Sequence, residues 1–251
     1  MHPRTSGTAL EDVRANWEYF GTTDPLWGVL SKRKARNNGW DLDEFFRTGV
    51  VEVADLMKRV DRHLPGLKRQ DALDFGCGVA RLTRPLAEQF ATVTGIDISR
   101  PMLDKARSFG VPDNLTLVYN TKSDLSVLLD ETFDFVLCHI VLQHMPPALA
   151  LGYLAEFYRV LKPGGGLVFT LPSVPDTTKR GGLAYALLPR PLIYRVRKLR
   201  DKAVMQMNAI RHDVLVDVLE QLGFEVAFLE PSSSGARNWL SFRYFVRKPL
   251  G

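Results

Sequence analysis

Two glycines separated by one residue, Gly76 and Gly78, follow the apolar run Ala72-Leu73-Asp74-Phe75, and the next apolar run ends on the acid Asp97. Glycine at a strand-to-helix turn lets the backbone bend sharply and lets a ligand approach the main chain closely. A carboxylate at the end of the following strand can accept hydrogen bonds from both hydroxyls of a ribose. The pair therefore suits an adenosyl group. A dinucleotide site calls for a third glycine at position 81, where helix and strand pack tightly, and Arg81 stands there instead. The plainer alternative is a simple tight turn, with Asp97 capping the helix that carries Met102 and Ala106.

Two histidines supply candidate proton chemistry. His139 and His144 both follow the apolar run Phe133–Cys138, and the C-terminal ends of strands in a parallel sheet face the ligand crevice. An imidazole with a pKa near ~6.5 can take a hydroxyl proton at neutral pH. His144 lies further into the loop, where a side chain can reach an acceptor, and is favoured as general base over His139. Either ring could instead cap a helix or bond a loop carbonyl. No His, Cys and carboxylate set has metal-ligand spacing, so no divalent metal is indicated, although a magnesium ion held in part by an acceptor would leave no such trace.

The surrounding pattern places these residues. Between Asp43 and Leu64, apolar residues recur at three- and four-residue steps, as a buried helix face requires, and Pro65-Gly66 ends that helix. Strand-like and helix-period segments then alternate: strand 71–76, helix 80–90, strand 92–97, helix 100–109, strands 115–118 and 133–138, helix 147–161 and strand 165–171. Alternation of this kind predicts an α/β fold built on a mostly parallel sheet with helices on both faces. Beyond Pro172 the pattern breaks. A helix around Val214–Leu222 and strand-like runs at 224–230 and 240–248 close the chain. The domain division expected is an N-terminal arm and helix over residues 1–70, packed on the core and able to cover an acceptor, then a catalytic domain over 71–251 with a variable basic insertion at 172–210.

Composition narrows the class further. The 251 residues are 45% hydrophobic and 24% charged with two cysteines, ordinary for a globular chain and too poor in cysteine for a disulfide scaffold. No apolar run reaches the length of a membrane span and the N-terminus lacks an apolar leader core, so a cytoplasmic protein is expected. Much of the formal charge of +5 gathers between Lys179 and Lys202, where Asp201 is the only acid.

Four strings carry a family resemblance. LDFGCGVARLT resembles the first motif of class I S-adenosylmethionine-dependent methyltransferases, GIDIS their acidic second-strand end, FDFVLCHIVLQHMPP their fourth strand and following loop, and LKPGGGLVFTLP the start of their fifth strand. All four stand in family order over residues 71–172. The resemblance implies a Rossmann-like fold with a seven-stranded sheet and S-adenosylmethionine as cofactor, leaving S-adenosylhomocysteine as product. It implies Asp74, Gly76, Cys77 and Gly78 around the methionine end of the cofactor with His139 on the same side. Asp97 falls on the ribose, Ile98 and Met102 on the adenine ring, and the adenine edge on the loop Asn120–Asp124, for which Lys122 and Ser123 are the residues taken.

The acceptor must then be met by parts outside these motifs. Trp17, Tyr19, Trp27 and Trp40 in the arm, with Arg237 and Trp239 near the C-terminus, offer aromatic faces beside polar groups that could hold a small hydroxylated molecule such as a saccharide or glycosylated metabolite. Packing of the arm onto the sheet is the alternative for each. RNA or a ribosomal component is a rival acceptor suggested by the basic segment 179–202. Its interleaving with Leu183, Leu187, Leu192, Ile193, Val196 and Leu199 argues against nucleic acid and for an amphipathic lid, a membrane-surface helix or a homodimer contact. A non-catalytic partner-binding protein on the same fold is the remaining alternative.

Overall fold

The computed structural model describes residues 6–189, 193–194, 203–233 and 237–251. The arm opens with two helices, α1 (Ser6–Thr23) and α2 (Pro25–Val29), followed by the long α3 (Leu42–His63). Asp41 caps α3 by accepting the Glu44 N–H at 2.8 Å. Asp43 and Glu44 in its first turn and Arg62 and His63 in its last suit the helix dipole. The core then alternates through β1 (Asp71–Phe75), α4 (Thr83–Ala87), β2 (Thr92–Asp97), α5 (Arg100–Ser108), β3 (Leu115–Tyr119), β4 (Phe133–Cys138), α6 (Pro147–Val160) and β5 (Leu161–Pro175). After α7 (Arg180–Leu187), the chain closes with α8 (His212–Gln221), β6 (Glu225–Ser232) and β7 (Trp239–Arg247).

The seven strands form one sheet in the order β3-β2-β1-β4-β5-β7-β6. Strands β1 to β5 pair in parallel, and β7 runs antiparallel to both β5 and β6. The mostly parallel, seven-stranded α/β architecture expected from the sequence is therefore present. Side chains leave the central strands alternately. Leu73, Val136 and Phe169 enter one core with α6 and α8, while Ala72, Phe135 and Val168 enter another with α3 and α4. Such two-sided burial is why β4 is apolar at nearly every position.

Several boundaries differ from the sequence expectation. The helix expected at 80–90 is confined to Thr83–Ala87, because Ala80 takes a positive φ of 63° and keeps the chain in a turn. The strand expected at 165–171 runs from Leu161 to Pro175. Its far half is held by the antiparallel ladder to β7, with a register shift between Pro172 and Val174 that absorbs the proline. The insertion expected at 172–210 thus begins as strand. Much of the basic segment 179–202 lies outside the described residues.

Candidate active site

At the end of β1 the chain turns through Gly76 (φ +75°) and Gly78 (φ +54°), a left-handed region that glycine enters without a steric penalty. The turn is also crowded. A Cβ on Gly76 would lie 2.5 Å from Val141 Cγ2, and one on Gly78 2.7 Å from Val29 Cγ2. The N–H groups of Gly76 and Cys77 both donate to the Ile96 carbonyl, at 2.8 and 3.2 Å, and Asp97 completes the stitching. Its carboxylate accepts from Gly78 N at 2.8 Å and from Ser99 N at 2.7 Å.

The acids here are kept out of water. Burial pushes the Asp97 carboxyl up to about 6 against the pull of the backbone N–H groups of Ser99, Gly78 and Ile98. Burial raises Asp74 to about 6 as well, opposed by the Thr83 hydroxyl, which donates to it at 2.6 Å, and by Arg81. Asp74 thus orients the start of α4 while facing the cavity. Burial drives the Cys77 thiol well above its ordinary range, with the charges of Asp97 and Asp74 adding to the effect. A protonated, buried thiol is a packing group at neutral pH.

These residues line a cavity of about 1230 Å³, larger than the roughly 300–1,000 Å³ common for a single small ligand. It opens beside the C-terminal ends of β1 and β4, where the strand order reverses and α/β sheets take their ligands. Asp74, Gly76, Cys77, Gly78, Asp97, Ile98, Met102, His139 and His144 all line it. Lys122 and Ser123 do not: both are exposed, and Lys122 Nζ bonds Ser126 Oγ at 3.1 Å. Asn120 lines the cavity in that region, with its amide donating to the Asp124 carbonyl at 2.8 Å. Asn120 directly follows β3 as Asp97 ends β2, and that position at a strand end was the signal available in the sequence.

The two histidines occupy different environments. His144 ends a single 3-10 turn, Leu142–His144. Its Nδ1 lies 2.7 Å from the Gln206 carbonyl, so Nδ1 carries the hydrogen, and its ring meets Trp17 edge-on at 5.1 Å. Burial lowers its pKa to about 4, against the Gln206 carbonyl, which raises it.

His139 instead meets a carboxylate, with Nε2 lying 2.7 Å from Glu52 Oε1 on α3. The contact is close but bent, since Nε2 finds no well-aligned acceptor among the described residues; such bonds often straighten only in the substrate complex. The other Glu52 oxygen is 2.7 Å from Arg81 Nη2, and Arg81 Nη1 reaches Thr48 Oγ1 at 3.2 Å. Burial would raise the Glu52 carboxyl, but His139 and Arg81 hold it down at about 2. Glu52 and Arg81 were not among the sequence candidates. Beside each cavity-facing member of this cluster stands a residue with left-handed backbone: Ala80 (φ 63°) before Arg81 and Ile140 (φ 60°) after His139. Such conformations cost about 1–3 kcal/mol. At Ile140 the surroundings hold the strain through its N–H, which donates to Thr170 Oγ1 at 2.9 Å.

The opposite wall comes from distant segments. Residues 203–210 form a strap, tied to α1 through Val204 N on Asn16 Oδ1 at 3.2 Å and to the 3-10 turn through Asn208 N on the Gln143 carbonyl at 2.7 Å. Met205 and Met207 of the strap line the cavity with Trp17, Tyr185, Arg237 and Trp239. The other arm aromatics do not. Trp40 is buried with its indole N–H on the Leu30 carbonyl, Trp27 packs on Phe20, and Tyr19 is exposed. Among the described residues no group of three or more His, Cys, Asp or Glu could hold a metal, and no helix is long and apolar enough to cross a membrane.

A crowded glycine turn clasped by the acid of the next strand, at the switch point of a sheet in this order, defines an α/β protein for an adenosyl cofactor. Residues 73–169 match the family model described as a methyltransferase domain. Over those residues the match supports the resemblance to class I S-adenosylmethionine-dependent methyltransferases. It is similar to ubiquinone biosynthesis O-methyltransferase of Pseudomonas savastanoi pv. phaseolicola, 33% identical over 133 residues that make up 52% of this chain and 56% of that protein. The protein of the same name in Coxiella burnetii is 32% identical over 106 residues, 41% of this chain and 44% of that one. This chain spans about half the length of the curated relatives it matches.

Solved structures share the fold over more of the chain. Magnesium protoporphyrin IX methyltransferase of Synechocystis PCC 6803, determined with bound SAH, has a TM-score of 0.60 at 22% identity, covering 94% of this chain and 99% of that one. A SAM-dependent methyltransferase of Leishmania major reaches a TM-score of 0.62 at 16% identity over 96% of this chain and 82% of that one. At such identities the likeness is one of fold.

Proposed function

We propose that the chain transfers a methyl group from S-adenosylmethionine to a hydroxyl of a small polar acceptor, a saccharide or glycosylated metabolite, with a histidine taking the hydroxyl proton. The observation that carries this reading is one cavity with two unlike sides. The side at β1 and β2 fits the cofactor: Gly76, Cys77 and Gly78 bring main chain to the cavity wall, and Asp97 offers a carboxylate for ribose hydroxyls. The other side carries the aromatic faces of Trp17, Tyr185 and Trp239 among the polar groups Asp176, Lys179 and Arg237, the combination that grips a polyhydroxylated ring.

Bound there, S-adenosylmethionine supplies a methyl group already activated on sulfur. The residues of this chain then align the acceptor and exclude water, contributions worth on the order of 7–11 kcal/mol. His139 and His144 are the histidines among the described cavity residues and so the candidates for the proton. The arm 1–70 supplies part of the acceptor wall through Trp17 of α1, which supports reading it as a cover. The buried, unbridged cysteines Cys77 and Cys138 suit a reducing cytoplasm.

A hydroxylated aromatic ring is the second reading, favoured by the thioethers of Met145, Met205 and Met207 in the same lining and by the names of the relatives. Calorimetric titration with S-adenosylmethionine, S-adenosylhomocysteine and NAD tests the cofactor: micromolar binding of the first two and none of NAD is expected. A panel of glycosides and catechols, scored for methyl ether formation, then separates the acceptors. Cofactor binding with no methylation of any hydroxyl would overturn the proposal in favour of a non-catalytic role.

A further inference from the structure

We propose that Glu52 is a positioning residue for His139, holding its Nε2–H so that Nδ1 is the nitrogen that takes the acceptor proton, with Arg81 fixing the carboxylate. The inference rests on the hydroxyl-methylation reading above and assigns the proton to one of its two histidines.

The geometry is that of a bridged carboxylate. One Glu52 oxygen lies 2.7 Å from His139 Nε2 and the other 2.7 Å from Arg81 Nη2. Both partners line the cavity, whereas Glu52 is outside its lining and reaches it through them. The close approach of α3 is built in. A Cβ on Gly49 would lie 2.1 Å from the Arg81 carbonyl oxygen, so glycine at that position lets the helix press its Thr48 and Glu52 face onto the turn after β1. Thr48 and Glu52 are one helical turn apart and therefore neighbours. Arg81 is 3% exposed, and a buried guanidinium presents donors in a fixed planar fork.

A comparison of the histidines assigns the role. The partner of His144 is a neutral carbonyl, which orients a ring but does little for the charge it gains on taking a proton. His139 faces an anion, which does both. In the step itself the methyl–sulfur bond breaks and a methyl–oxygen bond forms, while the hydroxyl proton passes to His139 Nδ1. The resulting imidazolium is balanced by Glu52 and returns its proton to solvent.

The test has one readout that needs no acceptor. Nitrogen-15 spectra of the full-length protein, with His139→Gln for assignment, report which ring nitrogen of His139 is protonated when the ring is neutral. The Nε2–H form is expected in the wild type, with and without S-adenosylhomocysteine, and loss of that preference in Glu52→Gln, whose amide can present N–H groups to the ring. On whichever glycoside or catechol turns over, Glu52→Gln is expected to lower kcat on the order of 10²-fold with acceptor KM and S-adenosylhomocysteine affinity unchanged, and Glu52→Asp to recover part of it. An Nδ1–H ring in the wild type, or an unchanged kcat in Glu52→Gln, overturns the assignment. Failure of the wild type to methylate any hydroxyl while it binds S-adenosylhomocysteine counts against the functional reading alone, because the ring protonation is measured independently.

Discussion

The two sides of the cavity are made in different ways. The cofactor side comes from one continuous stretch, β1 through the start of α5, and its working parts are largely main chain: a left-handed glycine turn, two N–H groups on the Ile96 carbonyl, and an acid at a strand end. The acceptor side is collected from α1, the loop after β4, the strap 203–210 and the start of β7. It is joined by contacts such as Val204 to Asn16, 188 positions apart. A wall formed by contiguous backbone has little freedom to vary, whereas one assembled from remote side chains can change piece by piece. The first therefore suits an invariant cofactor and the second a specific acceptor.

Substitutions can probe that division. The largest effect is expected on the proton path, where His139→Ala should lower turnover roughly 10²–10⁴-fold with S-adenosylhomocysteine affinity kept. His144→Ala should lose about tenfold, chiefly in acceptor KM, because a ring buried on the Gln206 carbonyl shapes the wall. Equal losses in the two variants would break the distinction drawn between the histidines.

On the cofactor side, Asp97→Ala should weaken S-adenosylhomocysteine about 100-fold by calorimetry, the worth of a charged hydrogen-bond acceptor for hydroxyls. Asp97→Asn should do similar harm to binding and yet raise the melting temperature of the cofactor-free protein at pH 8. The sign follows from the raised carboxyl. Its folded-state pKa, about 6, exceeds the unfolded value, so its stabilising contribution is fully present below the unfolded pKa and is lost as pH rises through 6. A lower melting temperature in Asp97→Asn would contradict the burial argument.

Smaller effects should stay on their own side. Trp17→Ala is expected to raise acceptor KM about tenfold while leaving cofactor affinity within about twofold in steady-state kinetics and calorimetry. The affinity for S-adenosylhomocysteine should itself fall as pH drops below 6 and Asp97 takes up a proton, by at most about tenfold per pH unit. A pH-independent affinity between 5 and 8 would remove Asp97 from the ribose.

The same division explains what could be read from the sequence. Gly76, Gly78 and Asp97 were legible because local rules govern them: which residue tolerates a positive φ, and which residue ends a strand. The sheet was legible because burial on both faces leaves long apolar runs such as Phe133–Cys138. Glu52 was not, since a glutamate on an amphipathic helix looks like any solvated position until tertiary packing brings His139 and Arg81 to it. A polar loop has no periodicity to single out Asn120 as the residue after β3 that lines the cavity, while Lys122 and Ser123 are exposed outside it. Trp17 and Trp40 looked alike in sequence. One lines the cavity and the other is spent on the core, a choice made by how the arm folds back.

The fit of Gly49 against Arg81 carries a consequence for recombination. The family model begins at residue 73, yet the helix before it lends a carboxylate to the loop after β4. A graft that exchanges the leading helices of this chain for those of a relative, joined at the start of β1, keeps the sheet whole but works only if the donor helix brings a small residue and an acid in this spacing. The natural seam for swapping acceptor preference therefore lies upstream of α3, before its cap Asp41, so that a new entrance can be installed while α3 travels with the sheet it serves.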